Sequence, residues 1–326
     1  MAPAASLLLP AVAGADSPST LEPKSNAARE IADLWWFMLI VATVVFAIVI
    51  ALVFLAILRR RGRLGDRIAG RLGGNWLLAV GGVGVPIVIL AVVFALTMAT
   101  LPATAPSTQA EGGGVEIEVT ARQWFWDVAY PEQEVVTANE IHVPVGEPVT
   151  VTVASTDVIH SFWVPQLNRK IDAIPGRENE LSFTADEPGT YRGLCAEFCG
   201  LQHANMGFLV IAEAPDDFAA WIDDQQQPAA APATAPQRRG EEVFMSKGCA
   251  SCHTIAGTPA DGNVGPDLTH LATRQTIAAA TLENDRGELG GWVLDPQHIK
   301  AGAKMPGTDL SGPELQALLD YLQRLR

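Results

Sequence analysis

Two clusters of donor side chains stand out in this 326-residue chain. The first is Cys195-Ala196-Glu197-Phe198-Cys199-Gly200-Leu201-Gln202-His203-Ala204-Asn205-Met206, with two thiols, an imidazole, a thioether and a carboxylate. Thiolate, imidazole and thioether form a soft set that suits copper, whereas calcium and magnesium demand oxygen donors. Zinc would accept the thiolates and the imidazole, but the added Met argues against it. Two cysteines four residues apart could also close a disulfide. A second imidazole is expected from a neighbouring strand, and His160, in Asp157-Val158-Ile159-His160-Ser161, is placed to supply it. His142 competes, but it sits among Val and Pro and reads as structural.

The second cluster is Cys249-Ala250-Ser251-Cys252-His253. This is the C-x-x-C-H pattern that attaches c-type haem, the thiols forming thioethers and His253 serving as an axial ligand. A zinc site, which would need two more ligands nearby, or a disulfide are the other readings. A soft sixth ligand well downstream would raise the reduction potential. Met245 lies four residues before the motif, too close to reach the opposite face, so Met305 is the better choice. His270 and His298 are rivals that read as packing or surface residues.

The surrounding sequence divides into parts that could hold these clusters. Residues 1–30 form an N-terminal segment in which Leu7–Ala15 resembles a signal peptide without its basic start. Residues 31–102 read as a hairpin with apolar spans at about 34–58 and 76–101, each long enough to cross a hydrocarbon core of ~30 Å. Between them lie Arg59, Arg60, Arg61, Arg63, Arg67 and Arg71 against Asp66 alone. A short basic loop stays in the cytoplasm, which puts both termini outside. After a tether at 103–114, residues 115–224 show short alternating runs with Gly and Pro turns, the pattern of an all-β sandwich or barrel. Residues 225–237 (QQQPAAAPATAPQ) read as an extended Pro/Ala linker. Residues 238–326 read as helical, with Ser311 capping a terminal helix that opens at Pro313. From residue 101 onward there are 14 Lys and Arg against 31 Asp and Glu, a net of −17. Such a surface disfavours nucleic acid and suits a basic partner.

Two resemblances attach to these residues. Residues Gln237–Arg326 resemble small class I cytochromes c, and Gly265-Pro266-Asp267-Leu268 looks like their G-P-x-L turn. The likeness implies that the Pro266 carbonyl orients His253 and that covalent haem c is held by Cys249, Cys252, His253 and Met305.

Residues Ile31–Asp224 resemble subunit II of the haem-copper oxidases. The C-x-E-x-C-x-x-x-H-x-x-M pattern is complete at Cys195–Met206, and D-x-x-H-S matches Asp157–Ser161. This resemblance implies a dinuclear copper centre (CuA) bridged by Cys195 and Cys199 and capped by His160 and His203. Met206 and the Glu197 carbonyl would be the weak axial contacts, and the Glu197 carboxylate would reach a Mg or Mn ion at the contact with subunit I. Trp124, in Gln123-Trp124-Phe125-Trp126-Asp127, resembles the aromatic residue through which electrons arrive. Asp172-Ala173-Ile174-Pro175-Gly176 resembles the loop that faces subunit I.

The implied fold is a multidomain membrane protein: a two-helix transmembrane hairpin, an all-β cupredoxin-like Greek-key barrel, then an all-α cytochrome c domain. The implied function is subunit II of a terminal oxidase, taking electrons from cytochrome c or another small donor to subunit I, where oxygen is reduced to water. Subunit III and membrane lipid are further expected partners. The expected location is the bacterial inner (plasma) membrane, multi-pass, with both redox domains on the periplasmic side. The input subunit of a CuA-type nitric oxide reductase and a free-standing membrane-anchored carrier are the rival readings. One departure concerns protons: the carboxylate that many relatives carry seven residues before the span's Pro is Ala79 here, counted back from Pro86.

Overall fold

A computed structural model describes residues 18–59, 74–104 and 114–326. The signal-like stretch, the loop arginines from Arg60 to Arg71 and most of the 103–114 tether lie outside those residues. The described chain separates into two units, one of residues 27–105 and one containing residues 106–326.

The smaller unit contains two apolar helical segments. α1 (Asn26–Arg59) is one unbroken helix of 34 residues. The second begins as α2 (Gly74–Ala79), widens into a π turn over Val80–Gly84, and continues as α3 (Val85–Thr104). The widening has a local cause. Pro86 has no N–H to give and its ring crowds the carbonyl four residues back, while Gly81, Gly82 and Gly84 let the backbone spread. Apart from Ala27, Ala28 and Ala32 at the start of α1, which are buried, the described apolar side chains of both segments are exposed or half-buried. Two hydroxyls in α3 are satisfied within the helix, Thr97 by the Val93 carbonyl and Thr100 by that of Leu96. Such internal bonding is what a helix in hydrocarbon requires.

In the larger unit, residues 114–213 build two five-stranded sheets that face each other. One runs β3 (Val135–Ala138), β2 (Phe125–Tyr130), β1 (Val115–Arg122), β5 (Val149–Ser155), β8 (Asn179–Phe183). The other runs β4 (Glu140–Pro144), β10 (Gly207–Glu213), β9 (Gly189–Cys195), β6 (His160–Trp163), β7 (Ile171–Ala173). Val115, Ile117 and Val119 alternate inward along β1 to meet Val149, Val151 and Val153 of β5. Period-two burial of this kind defines a half-buried strand. Between the sheets, Trp126 meets Phe162 and Phe208 edge-on, with ring centroids 5.9 and 5.3 Å away. Gly193 of β9 lies under the Phe208 ring, where a Cβ would sit 2.2 Å from ring carbons. This is the all-β cupredoxin-like layout the sequence implies. α4 (Pro215–Gln225) closes the sandwich with Phe218 and Ile222.

The C-terminal region is mainly helical. α5 (Ala235–Ser246) starts inside the stretch read as linker, because Thr234 and Gln237 form a capping box. Two further helices follow, α6 (Arg286–Leu294) and the single turn α7 (Pro296–Ile299). The last, α8 (Gly312–Leu322), has a second capping box from Ser311 and Glu314. α5 crosses α8 at Gly240, where a Cβ would lie 2.0 Å from the Ala317 carbonyl oxygen. Two short strands, β11 (Thr276–Ile277) and β12 (Leu282–Glu283), pair antiparallel between α5 and α6 in the chain.

Candidate metal centre and haem cavity

The donors of the first cluster come from adjacent strand ends. β6 opens with His160, and β9 closes with Cys195, opposite Phe162 of β6. The chain then loops through Cys199 and a 3-10 turn at His203–Asn205 before β10 begins just after Met206. The two thiols lie 3.7 Å apart, far longer than a disulfide. His160 Nδ1 is 4.0 Å from Cys195 Sγ, and His203 Nδ1 is 3.7 Å from Cys199 Sγ. Met206 Sδ is 3.8 Å from Cys199 Sγ, and the Glu197 carbonyl oxygen is 3.2 Å from Cys195 Sγ. These six residues thus converge on one place in the fold.

His160 is fully buried, and its Nε2 meets Asp157 Oδ1 at 2.8 Å, which leaves Nδ1 aimed at sulfur. Asp157 is itself held by the N–H groups of Gln123 and Val158. Such outer contacts fix ligand orientation. The neighbouring Cys199 thiol and the His160 imidazole hold the Cys195 thiol well below its ordinary pKa, while the adjacent Cys195 pushes Cys199 up. The pair shares a proton that a bound metal would displace. The convergent donors are sulfur, imidazole and one carbonyl, with no carboxylate, so the residues fit a copper pair and not a hard cation. The Glu197 carboxylate is 47% exposed and 3.8 Å from Lys170 Nζ, outside the sulfur cluster. His142 is elsewhere: it stacks on Trp221 at 4.1 Å and pairs with Glu213.

The second cluster surrounds a cavity of about 260 Å³ whose lining includes Cys249, Cys252, His253, Pro266 and Met305. Gly248 enters the Cys249–Ser251 turn at φ +86°, a left-handed angle that favours glycine. His253 Nδ1 lies 2.8 Å from the Pro266 carbonyl, so the protonated Nδ1 donates there and Nε2 is left as the free ligand atom. Burial holds this imidazole below its ordinary pKa, which favours the neutral ligand form. Gly265 cannot be larger, since a Cβ would lie 2.5 Å from the ring. On the same wall, Arg274 donates to the Asp267 carbonyl at 2.7 Å while its buried Nε has no partner among the described residues. A cation with an unused donor fits the carboxylates that haem carries, and the residues therefore fit haem c. Neither Met245, His270 nor His298 lines the cavity. His270 instead holds the chain after α4 through the carbonyls of Gln225 and Gln227.

The two sites share two neighbouring residues, Gln123 and Trp124, which both line the haem cavity and both donate to the Cys199 carbonyl. The indole Nε1 of Trp124 does so at 3.0 Å, beside a 2.7 Å bond from Gln123. The sequence marks Trp124 by its aromatic neighbours. Arg274 and Lys300, both on the cavity wall, carry no such signal.

Comparison with known proteins agrees with this division. Residues 133–213 match the family model of the cytochrome c oxidase subunit II periplasmic domain, and residues 237–326 match that of cytochrome c. A cytochrome c oxidase subunit 2 of Alkalihalophilus pseudofirmus is 34% identical over 98% of this chain and 94% of its own length. That of Bacillus subtilis is 32% identical over 94% of this chain and 92% of its own. The periplasmic domain of subunit II of a Bradyrhizobium japonicum cytochrome oxidase is 35% identical, with a TM-score of 0.34. It covers 34% of this chain and 93% of that structure.

Proposed function

The chain belongs to the cytochrome c oxidase subunit 2 family, and from that premise we propose that it conducts electrons within one polypeptide toward subunit I. It is subunit II of a terminal haem-copper oxidase, a component of an oxidoreductase complex that associates with subunit I. Its copper and covalent haem belong to the two matched domains, and its apolar helices anchor a periplasmic portion to a membrane.

The finer assignments are ours. Cys195, Cys199, His160, His203, Met206 and the Glu197 carbonyl would hold the copper pair. Cys249 and Cys252 would tether haem, and His253 and Met305 would be its ligands. Bound there, these groups supply one-electron exchange with no open position for a substrate. Asp157 and the Pro266 carbonyl orient the two histidines, and Arg274 offers a charge to the haem carboxylates. Trp124 is where electrons reach the sandwich. The observation that carries this reading is that one indole both lines the haem cavity and bonds the carbonyl of Cys199.

The domain limits follow the same reading, with hairpin 31–102 and copper domain 115–224, but the linker is shortened to 226–234 because the cytochrome's first helix opens at Ala235. Both redox domains lie on the periplasmic side, and the Arg-rich loop is cytoplasmic. The face that meets subunit I holds exposed Phe198, Val158 and Ile159, with the Glu197 carboxylate available to a Mg or Mn ion. Subunit III, lipid and a small donor such as cytochrome c complete the partners. No carboxylate occupies the second span, so this hairpin does not carry the Glu that feeds a proton channel in many relatives.

Purification of the complex from its native membrane tests this. Oxygen consumption with reduced cytochrome c, and a co-purifying subunit I, are expected. Nitric oxide turnover, or a chain that purifies alone, contradicts the reading.

A further inference from the structure

Lys300 follows α7 and is 2% exposed, yet no carboxylate pairs with it among the described residues. Its ammonium donates to two backbone carbonyls that belong to different domains. One is Trp124 in the sandwich, at 2.7 Å, and the other is Ala278 in the C-terminal domain, at 3.0 Å. Burial without a counter-charge pushes this amine down to about 7, so what holds it in place is its two carbonyl acceptors and not an ion pair.

The neighbouring contacts join the same two domains. Gln202, in the copper loop, donates to the Ala301 carbonyl at 2.8 Å. Gly302, at φ +85°, sits against the Trp124 ring, where a Cβ would come within 3.6 Å. The Gly207 N–H donates to the Ala279 carbonyl at 3.0 Å, and the Thr276 N–H donates to Glu140 at 2.8 Å. Three residues beyond Gly302 comes Met305, on the haem cavity wall. One short run of chain therefore carries the sandwich clamp at one end and the proposed haem ligand at the other.

We propose that Lys300 is a positioning residue for electron transfer between the two centres, pinning the Met305 side of the haem cavity to Trp124. The inference rests on the reading that electrons pass from haem c to copper within this chain. The Lys300 amine bridges one carbonyl in each domain and adds to the other bonds that hold the two together.

The test uses the intact oxidase complex with Lys300→Met, and Lys300→Gln should the first fail to assemble. Amide exchange at Gly207 and Thr276 reads the cross-domain bonds directly. Losing the donor that bridges the two domains should lower their protection at least about tenfold. Light-triggered reduction of haem c, followed at the copper near-infrared band, reads the transfer rate, which should fall by a comparable factor. Both absorption bands should keep their positions. If either protection or rate stays at the wild-type value, the proposal is overturned. If the wild-type complex shows no transfer from haem to copper, the functional reading fails instead. The exchange data then decide alone whether Lys300 holds the domains, wild-type protection in the variant overturning it.

Discussion

At the scale of single residues, two sulfur atoms separate the centres cleanly. Met206 lies 3.8 Å from Cys199 Sγ, and Met305 lines the other cavity. Replacing Met206 with Leu removes a weak axial donor and keeps the volume, so the near-infrared copper band should shift while the haem spectrum stays. Met305→Ala should do the reverse, removing the soft sixth ligand and lowering the haem potential. If both changes moved the same chromophore, the assignment of two separate centres would be wrong. Much of this was legible in the sequence, because ligand spacing in Cys195–Met206 and Cys249–His253 is local. Lys300 and Arg274 were not legible, since their roles come from carbonyls and carboxylates brought near by tertiary structure. A lysine whose partners are the Trp124 and Ala278 carbonyls leaves no trace in residue type or spacing.

At the scale of elements, the cytochrome domain depends on how its first and last helices cross. A methyl at Gly240 would strike the Ala317 carbonyl and the Tyr321 Cβ, both within 2.6 Å. Gly240→Ala should therefore destabilise this domain by roughly 2 kcal/mol, within the usual range for overpacking. Thermal unfolding followed at the haem band checks it, and an unchanged midpoint would show that the crossing can open freely. The capping box of α8 gives a pH signature. Ser311 and Lys247 hold the Glu314 carboxyl down to about 2, against an ordinary 4.5. A depressed carboxyl contributes stability that is full above pH 4.5 and disappears as pH falls toward 2. The stability difference between wild type and Glu314→Gln should be constant above pH 4.5 and shrink below it.

The Ser311 cap and the helix after Pro313 could be read directly from sequence. The start of α5 could not, because Ala and Pro in 228–236 look like a tether until Thr234 and Gln237 are seen to cap a helix. The strands β1 and β5 show in their alternation, and β8 and β10 in short apolar runs flanked by turn residues. β4 and β6 do not, being short and buried on both faces, so no period appears.

At the scale of the whole molecule, the sandwich and the cytochrome domain meet through polar contacts at the copper loop, with Trp124 shared between the two sites. The outer part of the chain is strongly acidic, with 31 Asp and Glu after residue 100 against 14 Lys and Arg. Turnover with a basic donor should therefore fall as salt is raised, because surface charges are screened over about 10 Å at 0.1 M. A rate indifferent to salt would show that the donor docks by apolar contact.

In this relay electrons reach haem c first, then copper, by way of Trp124. Rapid mixing of the oxidised intact complex with a reduced donor, with haem and copper bands followed together, tests it most directly. The haem band should change first and the copper band second, and Trp124→Ala should slow only the second. Copper reduced before haem, or a second phase untouched by that substitution, would contradict the account.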